Sequence, residues 1–157
     1  MGIRRRAREL ALQALFYIDM RRGDPAEMLD YYCSCFPVSK KASPFFAELV
    51  KGVLAARPEI DSIIENHSSH WKISRMPCVD RNIMRIAVYE LMVCDDIPST
   101  VSINEAIDVG KKFGAEDSGA FINGILDSIR IATEEGRISE AEIKIQFKKN
   151  ELAERNA

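Results

Sequence analysis

Apolar residues recur along this chain at helical spacing, and no stretch alternates apolar with polar as a strand would. The most apolar stretch runs from Pro77 to Cys94. Val79, Ile83, Ile86, Ala87, Leu91 and Cys94 make one row, and Met84, Val88 and Met92 make a second. Arg81, Asn82, Arg85 and Tyr89 leave only a narrow polar stripe. A helix apolar on most sides is buried on most sides, so this one predicts a central post with other helices around it. Pro77 and Asp80 suit its first turn, and Asp95-Asp96 and Pro98 stop it.

The same pattern predicts the surrounding elements. A first helix covers 4–22, with Ala7, Ala11, Ala14, Leu15 and Ile18 as its stripe, ended by Gly23. Asp24-Pro25 caps a second, which runs to about Phe36. Ser43-Pro44 opens a third, and Pro58 opens a short fourth through Ile63, Ile64 and His67. Residues 71–77 read as a connector. After the central helix, Ser102 and Glu105 have capping-box spacing. Asp117-Ser118 starts another helix, in which Gly124 suggests close helix–helix approach, with Asn104 and Asn123 as candidates to satisfy buried backbone groups. Past Gly136, Ser139 and Glu142 are a further capping pair for a charged, solvated tail helix. The reading is all-α: two small helical bundles, about 1–70 and 77–134, packed around a central buried helix, with a charged helical extension over 135–157.

Composition narrows the class. At 157 residues, with 46% hydrophobic and 29% charged, the chain is expected to be an ordinary globular protein with one core. No apolar run approaches the roughly 20 residues of a membrane span, and no signal segment follows the opening arginines, so a cytoplasmic location is expected. Cys33, Cys35, Cys78 and Cys94 then read as reduced thiols. The net charge of −2 is unevenly spread: six arginines against two acids give residues 1–22 a charge of +4, leaving −6 for the rest.

That basic head is the candidate site. Arg4, Arg5, Arg6 and Arg8 lie within two helical turns, a dense array for phosphate oxygens. Cations at a helix N-terminus oppose its dipole and repel one another, a cost that an anionic partner would offset. Other candidates are weaker. Cys33-x-Cys35 and His67-x-x-His70 lack the spacing of a zinc site, so no metal is assigned. Glu90, a carboxylate among apolar neighbours, is expected to pair with an arginine or cap a helix rather than to act as an acid or base. No nucleotide-binding or hydrolase motif is present, so neither an enzyme nor a cofactor is expected.

Five blocks in register carry a resemblance. They are Arg4-Arg5-Arg6-Ala7-Arg8-Glu9 with Ala11 to Leu15; Val79-Asp80-Arg81 with Arg85 to Leu91; Pro98 to Ala106; Lys112 to Ser118; and Phe121 to Asp127. Together, from residue 4 to about 130, they resemble the NusB family of transcription antitermination factors. The resemblance implies a non-catalytic RNA-binding protein. Such a protein pairs with the small-subunit ribosomal protein NusE on single-stranded boxA RNA of nascent ribosomal RNA, within an RNA polymerase antitermination complex. It implies RNA contacts at Arg4, Arg5, Arg6 and Arg8, and a second RNA surface at Asp117, Ser118 and Phe121. Phe16, Asp80 and Arg85 would face the protein partner, and a homodimer through that surface is a further option. The chain departs from the family pattern at Phe16 (often Tyr), Asp80 (often Glu), and Gly119-Ala120 (often larger or basic). Two alternatives stay open: a module of the same fold acting in ribosomal RNA maturation, and a helical scaffold with no RNA role.

Overall fold

The computed structural model describes residues 2–69, 71–137 and 140–156. Seven α-helices appear among them, with no strand: α1 (Ile3–Met20), α2 (Pro25–Cys35), α3 (Ser43–Asn66), α4 (Cys78–Val93), α5 (Ser99–Phe113), α6 (Ser118–Glu134) and α7 (Glu140–Asn156), with a short 3-10 turn at Ile73–Arg75. Helix α4 is the expected post. It packs against α1, α3, α5, α6 and α7, and one apolar core runs through both halves of the molecule.

The polar stripe of α4 does not face water as a surface stripe would. Asp80, Asn82, Arg85, Tyr89 and Glu90 are all buried. Burial of charge is tolerated only with partners, and these have them. Arg85 donates to Asp61 of α3 through two bonds of 2.7 and 2.9 Å, and to Asp19 of α1 at 3.0 Å. Asp19 also accepts from Arg81 at 2.7 Å and Asn82 at 2.9 Å. Burial pushes the Asp19 carboxyl up, but the bonds from Arg81 and Asn82 and the Arg85 charge bring it down to about 2. The network ties α1, α3 and α4 together through charge as well as apolar contact.

Several expectations need correction. The third and fourth predicted helices are one helix, α3, kinked at Ala56 (φ −114°, ψ 17°). Pro58 lacks an N–H and crowds the preceding turn, which bends the helix without ending it. Ser102 is no cap: α5 begins at Ser99, and Ser102 is buried within it. Gly124 is exposed, and a methyl group there would meet nothing, so it marks no close approach. Asn104 and Asn123 are exposed too and serve no buried group. Close approaches occur instead at Gly52 of α3, where a methyl group would run into the Tyr89 ring, and at Gly110 of α5, where it would meet Ile122 of α6. The tail helix is not simply solvated. It packs on α3 and α4, burying Ile145, pairing Lys148 with Glu59 at 2.7 Å and donating from Lys149 to the Val93 carbonyl at 2.8 Å. His70 and Ser139 lie outside the described residues.

Candidate nucleic-acid interface

The four arginines lie in the opening turns of α1, whose first turn has no acidic residue and no side-chain cap to offset their charge. The offset comes from elsewhere in the fold. Arg4 donates to Asp96 at 2.8 Å, across the α4–α5 connection. Arg5 donates to both Glu105 oxygens, at 2.8 and 2.9 Å, and to Asp108 at 2.8 Å, all on α5. Arg8 donates to both oxygens of Glu90, the shortest bond at 2.6 Å. Glu90 also accepts from Ser102 at 3.0 Å. Arg6 stands 3.6 Å from Glu9, whose other oxygen accepts from Lys112 at 3.0 Å. The bond from Arg5 holds the Glu105 carboxyl below the usual carboxylate range, and the bond from Arg4 does the same for Asp96.

These pairs differ in depth. Arg8 is 6% exposed and Glu90 1%, a buried bidentate pair that stitches α1 to α4. The Arg4–Asp96 pair lies in solvent, with side chains 53% and 67% exposed. Between these limits an open groove of about 560 Å³ runs between the start of α1 and α5, walled by Arg4, Arg5, Arg8 and Lys112 on a floor that includes Ile97 and Pro98. Its outer cations can exchange carboxylate oxygens for the chemically similar oxygens of phosphate. Arg8, buried and paired with Glu90, ties α1 to α4.

The second predicted surface lies at the turn into α6. Ser118 is buried, accepts from the Ala115 amide and donates to Asp80, both at 2.8 Å. Burial raises the Asp80 carboxyl above its ordinary range. Asp117 is exposed, and Phe121 is half-buried with its ring edge-on to Trp71, centroids 6.3 Å apart. The expected partner-facing set separates in depth. Phe16 is exposed, whereas Asp80 and Arg85 are buried and bonded within the chain. Among the described residues no cluster of three or more His, Cys, Asp or Glu could hold a metal ion, and no helix is long and apolar enough to cross a membrane.

The sequence pattern marks the arginines and, of the acids that hold them, Glu90, but not the pairing of the others. Asp96, Glu105 and Asp108 are distant in the chain and resemble ordinary surface charge. Lys112 sits at the exposed end of a helix like any solubilising lysine. Nothing in local spacing singles them out. The fold brings them to the arginines: Asp96 from the α4–α5 connection, Glu105 and Asp108 from α5.

The NusB family model matches residues 5–130. The transcription antitermination protein NusB of Desulfatibacillum aliphaticivorans is 60% identical over 131 residues, covering 83% of this chain and 92% of that one. Among solved structures, T. maritima NusB matches with a TM-score of 0.73 and 34% identity, over 86% of this chain and 97% of that one. The crystal structure of the antitermination factors NusB and NusE in complex with dsRNA contains a chain matching with a TM-score of 0.75 and 32% identity, over 84% of this chain and 98% of that one.

Proposed function

This chain belongs to the NusB family, and on that premise we propose how its surface works. It is an RNA-binding transcription antitermination factor, not an enzyme. It pairs with NusE to bind boxA RNA in nascent ribosomal RNA transcripts, as part of the antitermination complex on RNA polymerase. That work places it in the cytoplasm. Residues 1–134 form its NusB-like unit and 135–157 an extension, whose helix α7 packs on α3 and α4.

The observation that carries the assignment of the site is the groove at the start of α1, where Arg4, Arg5 and Lys112 stand exposed or half-exposed on one open wall. Arg4, Arg5, Arg6 and Lys112 take phosphate oxygens. Arg8 sets the position of α1 through Glu90. Asp117, Ser118 and Phe121 make the second RNA surface, with Ser118 shaping the turn from inside. Phe16 offers its ring to the protein partner, while Asp80 and Arg85 shape that face from within. Bases stacked on rings and phosphates held by cations are the usual means of gripping single-stranded RNA.

The test is fluorescence anisotropy with a short single-stranded boxA-like RNA and a scrambled control, with and without NusE. NusE is expected to tighten binding through added contacts at high effective concentration and to sharpen preference for boxA. Reversing charge at Arg5 and Arg6 is expected to remove most of the affinity. Unchanged affinity in that variant would move the RNA site away from α1.

A further inference from the structure

We propose that Trp71 is a base-stacking platform that extends the second RNA surface, a reading that rests on the RNA-binding function above. It is the only tryptophan in the chain, and it is 56% exposed. Most of this large ring therefore contributes little to the core and is accessible to a ligand, and its contact with Phe121 makes it part of an aromatic pair rather than a single scattered residue.

The backbone presents it. After α3 ends, Ser69 adopts a left-handed conformation, φ 53°, uncommon for a residue with a side chain. The Trp71 amide donates to the Ser68 carbonyl at 3.2 Å, and the buried Ser68 hydroxyl donates back to the Trp71 carbonyl at 3.0 Å. Just beyond, the Ile73 amide donates to Glu65 of α3 at 2.8 Å. Trp71 thus stands on a turn braced from both sides, with its ring pointed outward.

Its surroundings fit a nucleobase. The contact with Phe121 is edge to face, at an interplanar angle of 68°, and Phe121 is itself half-buried against the core, so the ring open to a base is that of Trp71. Lys72 and Arg75 flank the ring in sequence and are exposed. Neither is paired with a carboxylate among the described residues, unlike Arg4, Arg5 and Arg8. An exposed ring with unpaired cations one and four residues along the chain supplies the elements with which single strands are held: rings for bases, cations for the phosphates between them.

The sole tryptophan makes the test direct. BoxA-like single-stranded RNA is titrated into the full chain, and tryptophan emission and RNA anisotropy are followed together. Emission is expected to fall in step with binding. Trp71→Ala is expected to weaken binding about tenfold, the scale of one stacked base, and Trp71→Phe to recover most of it. Because the ring is exposed, the circular dichroism and melting of Trp71→Ala should match wild type. If RNA binds in an Arg5-dependent way, but emission stays constant and Trp71→Ala binds as wild type, the platform is overturned and the α1 site stands. If no RNA binds at all, both fall together.

Discussion

The two candidate RNA surfaces are built on opposite terms. At the start of α1 almost every cation is already committed: Arg4 to Asp96, Arg5 to Glu105 and Asp108, Arg8 to Glu90, Lys112 to Glu9. Near Trp71 in the chain the cations Lys72 and Arg75 pair with no carboxylate among the described residues, and the Trp71 ring is exposed. The first surface is preorganised and self-neutralised, so an RNA phosphate must displace a carboxylate to enter. The second is exposed and pays no such exchange. Exposed ion pairs are weak and screened by salt, so phosphates can compete for Arg4 and Arg5. The buried Arg8–Glu90 pair lies beyond that competition. The carboxylates thus hold the guanidiniums extended toward the groove before RNA arrives, which lowers the ordering cost of binding.

The largest effect expected from breaking this comparison is structural. Arg8→Ala leaves Glu90 buried with only Ser102 as a partner, and breaking a buried pair costs about 3–5 kcal/mol. Chemical denaturation should show a loss of that order. Arg85→Ala removes both bonds to Asp61 but only one of those to Asp19, which keeps Arg81 and Asn82, so the loss should be smaller, about 1–3 kcal/mol. Either variant losing RNA binding while keeping full stability would contradict the positioning role given to these buried arginines.

Next comes packing. Gly52→Ala forces a methyl group against the Tyr89 ring, and overpacking of this kind costs about 1–3 kcal/mol. Gly124→Ala, by contrast, meets open space and should stabilise α6 by roughly 0.5–1 kcal/mol through helix propensity. Melting the two variants side by side checks which glycine marks the helix contact.

The pH dependence is subtler, and its two parts have opposite signs. Asp19, held down to about 2, stabilises the fold above the ordinary carboxylate range, and that contribution is lost as pH falls through about 2. Asp80 is raised by burial, so its charged form destabilises the fold at neutral pH and its protonation in acid relieves the cost. Asp80→Asn keeps an oxygen for the Ser118 hydroxyl. It should raise the melting temperature at pH 7, with the gain shrinking as pH falls through the raised pKa. A loss of stability at pH 7 would mean that the Asp80 charge is needed.

Much of this architecture is legible in the residue pattern, and the misses share a cause. The rows of Ile83, Ala87 and Met84, Val88 mark α4 as central because burial on all sides leaves its trace in one short stretch. The pairing of Glu90 with an arginine follows from a carboxylate with no polar neighbours nearby. Ser102 is misread as a cap because the capping box is a local rule, and here a tertiary partner, Glu90, claimed the hydroxyl. Pro58 is misread as a helix start because a proline that opens a helix and one that kinks it share the same local signal. The pairing of Asp96 and Asp108 with the α1 arginines and the exposure of Trp71 depend on tertiary placement, which local spacing does not encode.

The central claim is that charge comes from the α1 groove and stacking from the Trp71 patch. It is tested most directly by the salt dependence of boxA-like RNA binding in wild type, Arg5→Ala/Arg6→Ala and Trp71→Ala. Each phosphate contact on a single strand contributes about −0.7 to the slope of log affinity against log salt. The arginine variant should therefore flatten the slope by about 1.4, for two lost contacts, while Trp71→Ala weakens binding equally at every salt concentration and leaves the slope unchanged. If Trp71→Ala flattens the slope as much as the arginine variant does, or if the arginine variant leaves it unchanged, the division of labour between the two surfaces is wrong.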